Sequence, residues 1–141
     1  MTTTRGARTP RELLSAFVGR VAAGDVAGIA GAYAADAVVS LPRGREAAGS
    51  QAIERAYAAA LAGGALLAVG RPDDAAALEL LVESARVIET GPLSMVSFTG
   101  ADGAVRTMVA WQGEDGWAWV RDGSMLRDVE AALGAGLSDV A

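Results

Sequence analysis

The sequence predicts an α+β domain in which helices come first and an antiparallel sheet follows. Three observations predict it. Apolar residues recur at helical spacing in the first part of the chain. From Leu78 onward the pattern becomes apolar and β-branched runs separated by "GP", "ADG" and "EDG", and a last helical pattern closes the chain. A chain of 141 residues is sized for one domain with a real core. We place it at residues 9–134, after a disordered N-terminal arm (1–8) and before a flexible tail (135–141).

Thr9, Pro10 and Glu12 form a helix-start signal, with Thr as N-cap, Pro in the first turn and Glu reaching back as in a capping box. Leu13, Leu14, Phe17, Val18 and Val21 make its apolar stripe. Gly24 ends that helix and Asp25 caps the next, whose stripe is read as Val26, Ile29, Ala30 and Tyr33. "AVVSLP" is a short strand stopped by Pro42, "RGREAAG" a polar loop, and Ser50 the cap of a third helix with Ile53, Ala56, Tyr57, Ala60 and Leu61 on one face.

The segment 73–84 is ambiguous. Asp73 suits a helix cap and Leu78, Leu81, Val82 and Ala85 suit a helical stripe, but a strand from about Leu80 is the reading adopted. "LSMVSFTG", "AVRTMVAWQG" and "WAWVRD" continue an antiparallel meander. Ser124 then caps a short C-terminal helix carrying Met125, Leu126, Val129 and Leu133.

Composition excludes several functions. Twelve Arg against seventeen Asp and Glu give a net charge of -5, where a nucleic-acid binder would show a basic face. The absence of Cys removes disulfides and thiolate chemistry, and His, Lys and Asn are absent too. The remaining carboxylates do not cluster as metal ligands, so neither a metal nor a cofactor is expected. The N-terminus lacks the apolar core of a signal peptide, and the uncharged run from Ala56 to Gly70 is too short to span a bilayer. A cytoplasmic protein without membrane or nucleic-acid partners is the expectation.

"GDVAGIAGAYAADAVVSLP", "GSQAIERAY" and "WQGEDGWAWVRD" together resemble the nuclear transport factor 2-like superfamily, which includes ketosteroid isomerase and the SnoaL-like polyketide cyclases. The resemblance runs from about Leu13 to Asp122. It implies a cone-shaped, curved antiparallel sheet with three N-terminal helices on its concave face, an apolar pocket between them, and dimerisation through the sheet's outer face.

In the isomerases of that superfamily a first-helix Tyr, an Asp after the second helix and a protonated Asp on a late strand do the chemistry. Here the first position falls on Phe17 and the second on Leu41, and "VRTMVAWQ" holds no acid. Tyr57 alone keeps a family pocket position, so the isomerase mechanism is not supported. Cyclases of the superfamily use a His with an Asp, and its epoxide hydrolases an Asp–Arg–Asp relay with Asn and Tyr positioning the water; this chain has no His and no Asn.

The resemblance therefore implies a small-hydrophobic-molecule-binding domain with Phe17, Tyr33, Leu41, Tyr57, Trp111 and Trp117 around the ligand. Two alternatives stay open: an enzyme of secondary metabolism using a carboxylate with Tyr57, or a dimeric interaction module with a vestigial pocket. Tyr57 is equally a core residue with a satisfied hydroxyl, and the tryptophans equally cross-strand glue. Asp36, at a helix-to-strand corner, is read as bonding nearby backbone. Period-two alternation puts Trp117, Trp119 and Arg121 on one face of the last strand and Ala118, Val120 and Asp122 on the other, and one of these faces is expected to meet a second copy.

Overall fold

The computed structural model describes residues 6–64, 69 and 74–132. Helix α1 (Pro10–Ala23) starts as its sequence dictates: the Thr9 hydroxyl accepts from Glu12 N–H at 3.0 Å, and the Glu12 carboxylate accepts from Arg8 N–H at 2.7 Å. Gly24, at φ 71°, stops it in the left-handed conformation that a Cβ disfavours. Asp25 caps α2 (Val26–Gly31) by accepting from Gly28 N–H.

Tyr33 is not on the α2 stripe. The helix ends at Gly31, and Tyr33 opens strand β1 (Tyr33–Ser40), because the backbone from Ala32 onward bonds to strand β6 (Gly116–Asp122) instead of to its own preceding turn. A single 3₁₀ turn at Pro42–Gly44 leads to β2 (Glu46–Ala48), a short strand within the segment read as loop. Helix α3 (Ser50–Ala62) follows, buried along Ile53, Ala56, Tyr57 and Ala60, with Gly49 rather than the Ser50 side chain at its N-cap.

The segment expected as strand from Leu80 is helical. Helix α4 (Ala75–Ser84) is capped by Asp74, whose carboxylate accepts from Ala77 N–H, and Arg11 on α1 donates to the carbonyls of Val82 and Glu83 at its end. The stripe weighed against a strand thus wins, with Leu81 buried against α1 and β4 (Leu93–Thr99). There are consequently four helices ahead of the strands β3 (Arg86–Thr90), β4, β5 (Val105–Gly113) and β6.

Six strands form one curved, open sheet in the order β2-β1-β6-β5-β4-β3. The β1–β6 pair is parallel and all others antiparallel. Helix α1 packs on β4 and β6, and α3 on β1 and β2, which closes the inner face over a core of Leu14, Phe17, Ile29, Ile53, Tyr57 and Trp119.

Two further expectations change. Gly6 and Ala7, assigned to a disordered arm, lie beside β6: Gly6 N–H donates to Asp115 O and Trp117 N–H to Ala7 O. A Cβ on Gly116 would stand 2.5 Å from Ala7 O, so glycine permits this approach. Ser124 caps no helix. Its hydroxyl accepts from Thr107 N–H and donates to Thr107 O, pinning the turn after β6 to β5, and described helical residues resume only at 130–132. Residues 1–5 of the arm, part of the Ala56–Gly70 run, the cap candidate Asp73, Leu133 and the tail lie outside the described residues. No described helix is long and apolar enough to cross a membrane.

Candidate functional site

The inner face of β6 carries Trp117 and Trp119, as alternation requires, but then breaks parity. Trp119 pairs with Ala110 and Arg121 with Val109, so two steps along β6 match one along β5. Val120 is the extra residue of a β-bulge, and beyond it the faces exchange. Arg121 turns out and Asp122 turns in, the reverse of the strict period-two reading.

Asp122 is 1% exposed and accepts four hydrogen bonds. Its Oδ1 takes the backbone N–H groups of Ser124 and Met125, each at 3.0 Å. Its Oδ2 takes the hydroxyls of Tyr33 at 2.6 Å and Tyr57 at 3.1 Å, and the two hydroxyls are themselves 2.5 Å apart. The start of β1, the middle of α3 and the end of β6 thus meet in one acid–phenol triangle.

Aromatic rings enclose it. Phe17 packs edge-on against Tyr33, Tyr57 and Trp119, with centroids 5.7–6.3 Å away. Burial pushes the Asp122 carboxyl above its ordinary range, against the hydrogen bonds of Met125 N–H, Tyr33, Ser124 N–H and Tyr57. Burial first, and then the Asp122 charge, push both phenols well above theirs. Both therefore keep their protons at neutral pH.

Proton counting defines what the triangle can do. With Asp122 ionised, two phenolic protons serve three links, and none is left for a visitor. With Asp122 protonated there are three, its O–H can donate to Tyr33 and Tyr33 to Tyr57, and the Tyr57 O–H becomes free to donate to a ligand oxygen. Phe17 and Leu41 line the same core without an ionisable group.

Of the six ligand-binding candidates, Phe17, Tyr33, Leu41, Tyr57 and Trp117 are buried within one core. Trp111 is separate from them. It pairs with Leu93 and Ala118 on the outer face, 47% exposed, because β5 buries Met108 and Ala110 and so turns the odd-numbered side chains outward. The surface cavities lined by described residues include one of about 490 Å³ beside Arg106 and Ser124 and one of about 430 Å³ beside Trp117 and Leu13, and neither has Phe17, Tyr33 or Tyr57 in its wall.

Sequence reasoning missed Asp122, Trp119 and Ser94 as interior polar groups. For Asp122 a signal existed: in "RDGSM" an Asp followed by Gly and Ser favours a turn in which the carboxylate bonds the backbone two and three residues on.

The outer face is a second candidate surface. Ile88, Met95 and Val109 form one cross-strand row, and Leu93, Trp111 and Ala118 the next. Ile88, Met95 and Trp111 are 61%, 47% and 47% exposed, and the charged side chains flanking these rows are Arg86 and Arg121.

No protein-family model matches the chain, and no curated protein matches it. Solved structures do. A nuclear transport factor 2-like protein with a cystatin-like fold from Novosphingobium aromaticivorans is 18% identical, covers 90% of this chain and 85% of its own, and superposes with a TM-score of 0.55. A candidate calcium/calmodulin-dependent protein kinase type II association domain from Thiobacillus denitrificans is 16% identical over 85% of this chain and 96% of its own, with a TM-score of 0.55. A candidate dehydratase of the nuclear transport factor 2-like family from Streptomyces avermitilis is 17% identical over 79% and 88%, with a TM-score of 0.51. The chain therefore has the nuclear transport factor 2-like fold.

Proposed function

We propose that the protein is a binding domain for a small, mostly apolar molecule carrying a hydrogen-bonding oxygen, with the Tyr33–Tyr57–Asp122 triangle as the polar anchor of its site. The carrying observation is that an acid shared by two phenols sits inside an otherwise apolar, aromatic core. Packing alone does not call for it: replacing a buried polar set by apolar groups of the same shape is often neutral or stabilising. An apolar shell with a few placed polar groups is the usual form of a small-molecule site. Phe17 and Leu41 supply no base, and Asp122 has all its lone pairs engaged, which favours binding over turnover.

The test is a thermal-shift and calorimetric titration with 2-decalone and its hydrocarbon counterpart decalin. Tyr57→Phe is expected to weaken the ketone by about 1 kcal/mol and leave the hydrocarbon unaffected. Ketone affinity should also fall as pH rises, because the free Tyr57 donor exists only with Asp122 protonated. Equal weakening of both probes, or no binding of either, refutes the reading.

A second reading, self-association through the outer face, is favoured by the two exposed apolar rows. Three or four strands at about 4.8 Å spacing and about 20 Å of length present roughly 300–400 Å², the size of the largest apolar patch on a typical monomer, which is often functional. A second copy is the partner that such a face suits, since two-fold contacts are isologous. The similarity to an association-domain structure adds to this reading.

A further inference from the structure

Among the described residues, two buried side-chain hydrogen-bonding groups of the inner face have no protein partner, the indole Nε1–H of Trp119 and the hydroxyl of Ser94. Their residues are 0% and 1% exposed. A buried orphan of this kind carries a desolvation cost and calls for an explanation. Strand register places both on one cross-strand row: Tyr33 on β1 faces Trp119 on β6, which faces Ala110 on β5, which faces Ser94 on β4. Ala110, itself fully buried, contributes only a methyl between the two orphans. Their Cα atoms are two strand spacings apart, about 10 Å, a gap that an indole, one ligand atom and a serine hydroxyl can fill.

We propose that Trp119 and Ser94 form a seat over Ala110 for one acceptor oxygen of a neutral ligand, a ketone or ester carbonyl. An indole N–H only donates, and a serine hydroxyl can donate beside it, so an acceptor satisfies both. The ligand is neutral because the buried polar or charged residues among those described are Ser94 and Asp122, and the half-buried Arg106 at the other end of β5 is already paired with Asp102. The inference rests on the ligand-binding reading above and names the second polar point of that site, two strands along the row from Tyr33.

The test follows the three indole N–H signals of ¹⁵N-labelled protein, assigned through Trp111→Phe and Trp117→Phe, during titration with the diketone decalin-2,6-dione, which offers one carbonyl to Tyr57 and one to the seat, and with decalin. The Trp119 signal is expected to move saturably with the ketone and not with the hydrocarbon. Ser94→Ala should weaken the ketone about fivefold without lowering Tm, because it removes an unpartnered hydroxyl. If Tyr57-dependent ketone binding occurs while the Trp119 signal stays still, or Ser94→Ala leaves affinity unchanged, the seat is overturned and the ligand-binding reading survives. Trp119 and water cross-relaxation persisting at ketone saturation makes a resident water the partner and overturns the seat as well. If the ketone does not bind at all, both fall.

Discussion

Removing the Tyr33 hydroxyl should cost more than removing that of Tyr57, although both belong to one triangle and both residues are buried. Tyr33 donates to Asp122 Oδ2 at 2.6 Å, a short charge-assisted contact, and also lies 2.5 Å from the Tyr57 hydroxyl. Hydrogen bonds to charged groups contribute about 1.5–3 kcal/mol and neutral ones about 0.5–1.5. Tyr33→Phe also leaves the Asp122 carboxylate with three donors instead of four, so about 2 kcal/mol is expected. Tyr57 reaches the same oxygen at 3.1 Å, and Tyr57→Phe leaves the shorter bond in place, so about 1 kcal/mol is expected. For a chain of this length each kcal/mol moves Tm by about 3–4 °C. The double variant should fall short of the sum by at least 0.5 kcal/mol, because the two hydroxyls share an acceptor and each other. Urea unfolding at one fixed protein concentration reads all three values. A larger loss for Tyr57→Phe, or strict additivity, would refute the geometry from which these magnitudes are worked.

The outer face predicts a dimer of twice 14.2 kDa that Met95→Asp, in the middle of the Ile88–Met95–Val109 row, converts to monomer with the fold retained; light scattering at micromolar concentration that returns the monomer mass for the unaltered protein sinks this. The pH dependence of stability follows from Asp122, whose carboxyl is held above its unfolded value: the folded state binds the extra proton, so this contribution is present at acid pH and lost as pH rises from about 4 through the folded pKa. Asp122→Asn should flatten that slope, and an unchanged slope in the variant would assign it to other groups. The raised phenols of Tyr33 and Tyr57 work the same way at the alkaline end, where stability should fall above about pH 10, less steeply in Tyr33→Phe.

Where a single local interaction decides, the sequence is legible: the Thr9 and Asp25 caps, the Gly24 stop and the meander turns follow from residue chemistry alone. Tyr33 and the segment 75–84 read differently in the structure because the deciding partner is distant in sequence. Tyr33 leaves its helix for a parallel pairing with a strand some 85 residues later, and α4 is chosen by the α1 surface that Leu81 covers. Five of the six candidate ligand residues share one core because each sits on the apolar side of its element, a property that periodicity reports well. Trp111 lies on the other face for the complementary reason: an aromatic on a strand fits either face, and only the burial of Met108 and Ala110 fixes which way β5 turns.

The interior chemistry depends on one irregularity. Without the bulge at Val120, the alternation that buries Trp117 and Trp119 would also bury Arg121 and expose Asp122, placing a guanidinium among Phe17, Tyr33 and Tyr57. Neither phenol could then donate to it, since an arginine offers donors only. The extra residue instead delivers an acceptor-rich carboxylate to two donors and moves the cation to the outer face. The same step brings the chain to Gly123, where the backbone turns so that the N–H groups of Ser124 and Met125 meet Oδ1, while Ser124 ties the turn to Thr107. Bulge, turn and phenols therefore form one mutually dependent unit.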